Sequence, residues 1–234
     1  MKLAGIMATR NYSRVPGAFP VLAAMTDMTI VLDDGSEQPF YYREQATEYI
    51  YLKRSGPWNQ GANLTTLLYR AFVHGCDWVF LLDDDLLPSR VLYENVRSLI
   101  DPNMDLVYVG CRELWGDAEH YRVDGLWGRK ETPVLIRNWF FDEGIAVPAP
   151  VRLHKFPMPT QRERRWIMAP PAFLVYHLAM IRSEDREARV AKYGREDPKH
   201  EFQNNYSYLA DERGLVRAEV PAEDHMMLHQ WMRC

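Results

Sequence analysis

Trp78-Val79-Phe80-Leu81-Leu82-Asp83-Asp84-Asp85 decides how this chain is read. An apolar run of strand length stops at three consecutive carboxylates. An ionised carboxylate inside a buried strand would be desolvated without a partner, at great cost. The aspartates are therefore expected where the strand emerges, at its C-terminal end. Open α/β sheets place their ligands at that edge. Carboxylates crowded there repel one another unless a cation neutralises them. A hard divalent ion that also carries substrate phosphates, Mg²⁺ or Mn²⁺, suits the role. Asp83-x-Asp85 thus reads as a metal and nucleotide-diphosphate site. The plainer alternative is an acidic, solvated loop.

The neighbouring segments supply the rest of such a sheet. Residues 3–8 read as a first buried strand and residues 29–32 as a second, stopping at Asp33-Asp34-Gly35-Ser36. Residues 49–52 suit a third short strand. Residues 63–72 are expected to be a helix, because Leu64, Leu67, Leu68, Ala71 and Phe72 repeat at helical spacing. Asn63 suits its N-cap and Gly75 its end. A further helix should begin near Ser89, and residues 106–109 suit another strand. Strands alternating with helices imply crossovers and a mostly parallel sheet.

A parallel sheet lines up its strand ends. Thr9-Arg10-Asn11, Asp33-Asp34-Gly35-Ser36 and Asp83-Asp84-Asp85 would then converge on one crevice, the expected nucleotide position. An aspartate beyond the second strand can accept from a base N–H or a ribose hydroxyl. Read alone, Asp33-Asp34-Gly35-Ser36 is ordinary turn chemistry. Its place beside Asp83-x-Asp85 favours a ligand role.

Composition narrows the classes. The chain has 234 residues and a formal net charge of -4, which gives no sign of a nucleic-acid or membrane-surface protein. Cys76, Cys111 and Cys234 are odd in number and widely spaced; Cys76 and Cys111 lie next to apolar runs and are expected to be buried thiols, which fits a reducing compartment. No segment has the length of a membrane span. A cytoplasmic location is expected.

Taken in order, the first strand, Val31-Leu32-Asp33-Asp34-Gly35-Ser36, Asn59-x-Gly61 and Leu82-Asp83-Asp84-Asp85-Leu86-Leu87-Pro88 resemble the nucleotide-sugar half of a GT-A glycosyltransferase, nearest to glycosyltransferase family 2. The resemblance covers residues 1–110 and leaves 111–234 as an irregular acceptor-binding half. It implies a Rossmann-like α/β/α sandwich, a nucleotide-diphosphate sugar donor and Mn²⁺ or Mg²⁺. By the same resemblance, Thr9, Arg10, Asn11, Asp33, Asp34, Asp83 and Asp84 would line the nucleotide. Asp83 and Asp85 would hold the metal. Many such enzymes add a histidine from the C-terminal half, and His177, after the apolar run Leu174-Val175-Tyr176, is the candidate; a core histidine is the competing reading. The sequence departs from the family pattern where Glu37 and Gln38 follow Ser36.

The implied reaction transfers a sugar to an acceptor hydroxyl, with inversion. It needs a general base, and Asp142 or Glu143 after Trp139-Phe140-Phe141 could supply it. Trp115, Trp127, Trp139 and Trp166 are expected to fill the core more often than to stack on sugars. The acceptor is open: a glycan, a lipid-linked intermediate, a protein, a small molecule or a modified nucleic-acid base. Two rival readings remain. A sugar-phosphate nucleotidyltransferase would normally open with a Gly-rich loop bearing Arg and Lys, whereas Gly5-Ile6-Met7-Ala8-Thr9-Arg10-Asn11 has one glycine and no lysine. The other rival is a non-catalytic nucleotide-sugar-binding module.

Overall fold

The computed structural model describes residues 1–11, 17–53, 58–138, 165–200 and 204–232. Strands β1 (Leu3–Thr9) and β2 (Met28–Asp33) are buried along their whole length, as strands covered on both faces must be. They pair in parallel, β3 (Glu48–Tyr51) extends the sheet beyond β2, and β4 (Trp78–Leu81) flanks β1 on the other side. Alternation along β1 sorts its side chains between two layers. Leu3 and Met7 pack with helix α1 (Ala18–Met25), whereas Ala4, Ile6 and Ala8 pack with α2 (Gln60–Val73). The result is an α/β/α sandwich. Gly5 lets α1 sit close, since a Cβ there would lie 2.7 Å from Leu22 and Thr26.

Beyond β4 the chain forms β5 (Leu86–Pro88), α3 (Arg90–Asn95), a 3₁₀ turn (Val96–Leu99) and β6 (Leu106–Glu113). Next come β7 (His120–Arg122), β8 (Glu131–Arg137), β9 (Trp166–Met168) and β10 (Leu174–His177). Helix α4 (Ser183–Glu196), strand β11 (Arg217–Glu219) and helix α5 (Ala222–Met232) follow. The main sheet has the order β3-β2-β1-β4-β8-β6-β10-β5, with β9 also paired to β6. Only β8 and β5 run against their neighbours, so the sheet is mostly parallel. A separate ribbon joins β7 to β11.

Several boundaries differ from the sequence reading for physical reasons. The N-cap of α2 is Asn59, whose side chain accepts from the Ala62 N–H at 3.0 Å. Asn63 lies one turn inside, buried, where it donates to Asp34 at 3.0 Å. Gly75 ends the helix as expected: its φ is +68°, and the next N–H, from Cys76, returns to the Ala71 carbonyl at 3.0 Å. Strand β6 runs past Val109 to Glu113, because a period-two burial pattern continues through the polar residues. The segment read as irregular contributes β8 to the centre of the sheet.

Trp115 and Trp127 are core residues. They bracket the buried Arg122 guanidinium, which lies 4.5 and 5.1 Å from their ring centroids and pairs with Asp124 at 2.8 Å. Trp166 is exposed, and Trp139 lies outside the described residues. Cys76 and Cys111 are buried free thiols, as expected. Among the described residues no helix is long and apolar enough to cross a membrane.

Candidate active site

The parallel strands deliver their C-terminal ends to one edge. Thr9, Asp33, Glu113 and His177 are the last residues of β1, β2, β6 and β10, and Asp83-Asp84-Asp85 follows β4. Backbone pairing fixes the centre of this edge. His177 stands opposite Glu113 in the β10–β6 ladder, and the Leu178 N–H donates to the Asp85 carbonyl at 2.9 Å. The cluster is thus held by main chain before any side chain acts.

The side chains complete it. His177 Nε2 lies 3.0 Å from Asp85 Oδ2, and its Nδ1 lies 2.5 Å from Glu113 Oε2. Arg189, from α4, donates to the same Asp85 oxygen at 2.6 Å. Lys130, just before β8, pairs with Glu113. Asp84 accepts from the Thr9 hydroxyl at 2.5 Å. The Asp83 carboxylate has no hydrogen-bond partner among the described residues.

Electrostatics separate these acids. Burial, then the charge of Asp85, pushes Asp83 up to about 6. Asp84 is raised by burial and by Asp85, against the pull of Thr9. Burial also disfavours a charge on Asp85, but His177 and Arg189 outweigh it and hold the carboxyl well below its ordinary range. Glu113 is brought down to about 2, because His177 and Lys130 outweigh its burial. His177 is desolvated too, yet the carboxylates of Glu113 and Asp85 raise it to about 9.

By donor type, two carboxylates and an imidazole suit Mn²⁺ and tolerate Mg²⁺. Asp85 Oδ2 and His177 Nε2 stand 3.0 Å apart and both face Arg189, while Asp83 does not converge with them to within 4.8 Å. When Nδ1–H donates to Glu113, the Nε2 lone pair faces Asp85. Two lone pairs at that separation need a proton or a metal between them. A carboxylate behind a histidine is the usual support of a metal-bound imidazole. Both nitrogens of His177 meet carboxylates.

The β2 end is built differently. Asp33 and Asp34 are completely buried. Asp33 accepts from the Ser36 N–H at 2.8 Å and the Tyr49 hydroxyl at 2.9 Å. Asp34 accepts from Arg10 at 2.9 Å and from Asn63 at 3.0 Å. Gly35, with φ +81°, makes the turn. Asn11 ties the β1 loop to it, donating from its N–H to Ser36 Oγ at 2.7 Å. Arg10 is partly exposed and lies 5.7 Å from the Trp58 ring centroid. It and Trp58 present a cation and an aromatic face to the crevice.

Asp142 and Glu143 lie outside the described residues. Sequence reasoning missed Glu113, Lys130 and Arg189. The alternation of β6, followed to its end, points to Glu113. Arg186 and Arg189, spaced i, i+3, mark an arginine face on α4, and both are engaged by acids.

No family model matches the sequence, and no curated protein matches it. Solved structures do resemble it. TarS from S. aureus, residues 1–349, superposes with TM-score 0.51 at 16% identity, covering 83% of this chain and 66% of that one. The chain therefore spans slightly under two thirds of that relative. Mannose-1-phosphate geranyltransferase from Thermus thermophilus gives TM-score 0.45 at 11% identity, covering 75% of this chain and 76% of that one. A protein assigned as a nucleotide-diphospho-sugar transferase in Desulfovibrio desulfuricans gives 0.43 at 10%, covering 99% of each. The last two likenesses carry no weight about chemistry. Together with the sheet order and the strand-end aspartates, the first establishes the architecture: the chain has a GT-A fold.

Proposed function

We propose that the protein is a metal-dependent glycosyltransferase that moves a sugar from a nucleotide-diphosphate sugar to an acceptor hydroxyl, with inversion. One observation carries this reading: Asp85 and His177 meet at the sheet edge, 3.0 Å apart, with Glu113 behind the imidazole and Asp83 unpartnered beside them.

Asp83, Asp85 and His177 would hold Mn²⁺ or Mg²⁺, and the ion would neutralise the charge that develops on the departing nucleoside diphosphate. Glu113 keeps the His177 ring oriented and receives its Nδ1 proton. Lys130 balances Glu113, while Nε2 faces Asp85 at 3.0 Å and Arg189 at 3.3 Å. Arg189 adds a second positive charge at the edge where the diphosphate would lie. Arg10 and Trp58 form the nucleoside side of the crevice, braced from below by Asp34. Asp142 or Glu143 is proposed to take the proton of the acceptor hydroxyl.

The test is incubation with a panel of nucleotide-diphosphate sugars and Mn²⁺. Release of nucleoside diphosphate that stops on chelation is expected. Release of pyrophosphate from a nucleoside triphosphate and a sugar phosphate would overturn the reading in favour of nucleotidyl transfer. Binding of a nucleotide sugar without turnover, with every candidate acceptor class supplied, would overturn it in favour of a binding module.

A further inference from the structure

We propose a second metal site, of zinc type, formed by Glu119, His225 and His229. It shares no residue with the aspartate edge. His225 and His229 stand four residues apart on α5, so their rings project from the same side of the helix. Their Nε2 atoms are 3.0 Å apart. Glu119 comes from the loop before β7, and its Oε1 lies 3.4 Å from His225 Nε2. All three donor atoms fall within 4.8 Å of one another. A tetrahedral zinc ion bound at ordinary Zn–N and Zn–O lengths sets neighbouring donors about 3.3 Å apart. The observed separations bracket that spacing.

The site is rigid on both sides, which lets it bind without ordering new chain. On the helix side, Leu228 is fully buried, and Asp224 accepts from the Arg90 N–H and from the Tyr176 hydroxyl, each at 2.6 Å. On the loop side, the Glu119 carbonyl accepts from the Val220 N–H at 2.8 Å, and its own N–H donates to Asp117 at 2.9 Å. The three donors are partly or fully solvent-accessible, so an ion can enter.

Ligand chemistry separates this site from the first. Two imidazoles and one carboxylate prefer Zn²⁺, Ni²⁺ or Co²⁺ over Mg²⁺ and Mn²⁺. Three protein ligands leave a fourth position for water. A metal here would staple the C-terminal helix to the loop before β7, which is distant from it in sequence. The role is stabilisation of the C-terminal half, and it stands whether or not the proposed transferase activity does.

Calorimetric titration of the full, untagged chain with Zn²⁺ tests it, read alongside melting temperature. One tight Zn²⁺ equivalent and a rise in melting temperature are expected. Both should survive in Asp85→Asn and be lost in His225→Ala and in His229→Ala. Glu119→Gln, a change at an exposed side chain that cannot unfold the protein, should weaken the binding. Bound Co²⁺ should show the intense visible bands of tetrahedral coordination. The proposal is overturned if wild type takes up no Zn²⁺, or if the histidine variants bind it as tightly as wild type. Loss of the Zn²⁺ equivalent in Asp85→Asn alone would overturn it too, by placing the ion at the aspartate edge.

Discussion

Two aspartate clusters leave the same sheet edge and meet opposite surroundings. Asp33 and Asp34 are sealed from solvent: Asp33 accepts from the Ser36 N–H and the Tyr49 hydroxyl on its two oxygens, and Asp34 Oδ2 accepts from both Arg10 and Asn63. At the other cluster Asp84 has one hydroxyl donor, Asp85 has only cationic or ionisable partners, and Asp83 has no hydrogen bond among the described residues. Burial and mutual repulsion there raise Asp83 and Asp84 out of the ordinary carboxylate range. A carboxylate caged by fixed donors is a strut. A carboxylate cluster short of donors and crowded by its own charge suits a cation, the role proposed for it above. The difference lies in the partners, and the partners come from distant segments.

The contrast breaks most visibly at Asp85. Asp85→Ala is expected to abolish Mn²⁺-dependent binding of nucleoside diphosphate and to lower turnover on the order of 100-fold or more, since metal charge stabilisation is worth several kcal/mol. The apo variant should stay folded, because its partners Arg189 and His177 keep some contact with solvent. Isothermal titration with and without Mn²⁺ checks this. Binding of unchanged affinity and metal dependence would remove the open cluster's role.

The sealed cluster should respond in the reverse sense. Asp34→Ala strips Arg10 and Asn63 of a shared acceptor, and losing it for the buried Asn63 amide costs about 1–3 kcal/mol. Urea unfolding should show that loss. A variant as stable as wild type, yet defective in nucleotide binding, would move Asp34 from the strut to the ligand side.

Glu113→Gln sharpens the open side. The amide keeps the shape but loses the charge that holds Nδ1–H of His177. Supporting groups of this kind are worth about 10–100-fold in metal affinity. A Mn²⁺ titration should weaken within that range, and the melting temperature should fall too, because Lys130 and His177 lose their buried counter-ion. Unchanged affinity would return His177 to a purely structural role.

How far this was legible from residues follows the same division. Local signals sufficed for β1, β2, β4 and the end of α2 at Gly75, because apolar runs and a positive-φ glycine are near-neighbour properties. The convergence of Thr9, Asp33 and Asp83 on one edge followed from parallel crossovers alone. What was not legible depends on register. Nothing near Glu113 in sequence announces that it will stand opposite His177 across a ladder. Asn63 looked like a cap because it stands just before the apolar stripe that begins at Leu64, and only the fold shows it bracing Asp34. The proposed bases Asp142 and Glu143 fall outside the described residues, so the acceptor side rests on sequence alone.

The smallest expected effect tests the sealed side by a single hydroxyl. Tyr49→Phe removes one of the two groups that donate to Asp33 and leaves the Ser36 N–H in place. A net loss of about 1 kcal/mol is expected, the ordinary worth of such a bond. The pH dependence gives the sign. Burial, then the Asp33 acceptor, pushes the Tyr49 hydroxyl from 10.0 up to about 12. A group raised in the folded state contributes its stability in full below its unfolded value and loses it as pH climbs towards the folded one. The gap between wild type and Tyr49→Phe should therefore be constant below pH 10 and shrink between pH 10 and 12. Urea midpoints measured across that interval check it. Nucleotide affinity should not move, because the hydroxyl braces a strut. A Phe variant of unchanged stability but weakened nucleotide binding would mean that Asp33 turns towards the ligand, and the two clusters would no longer differ in kind.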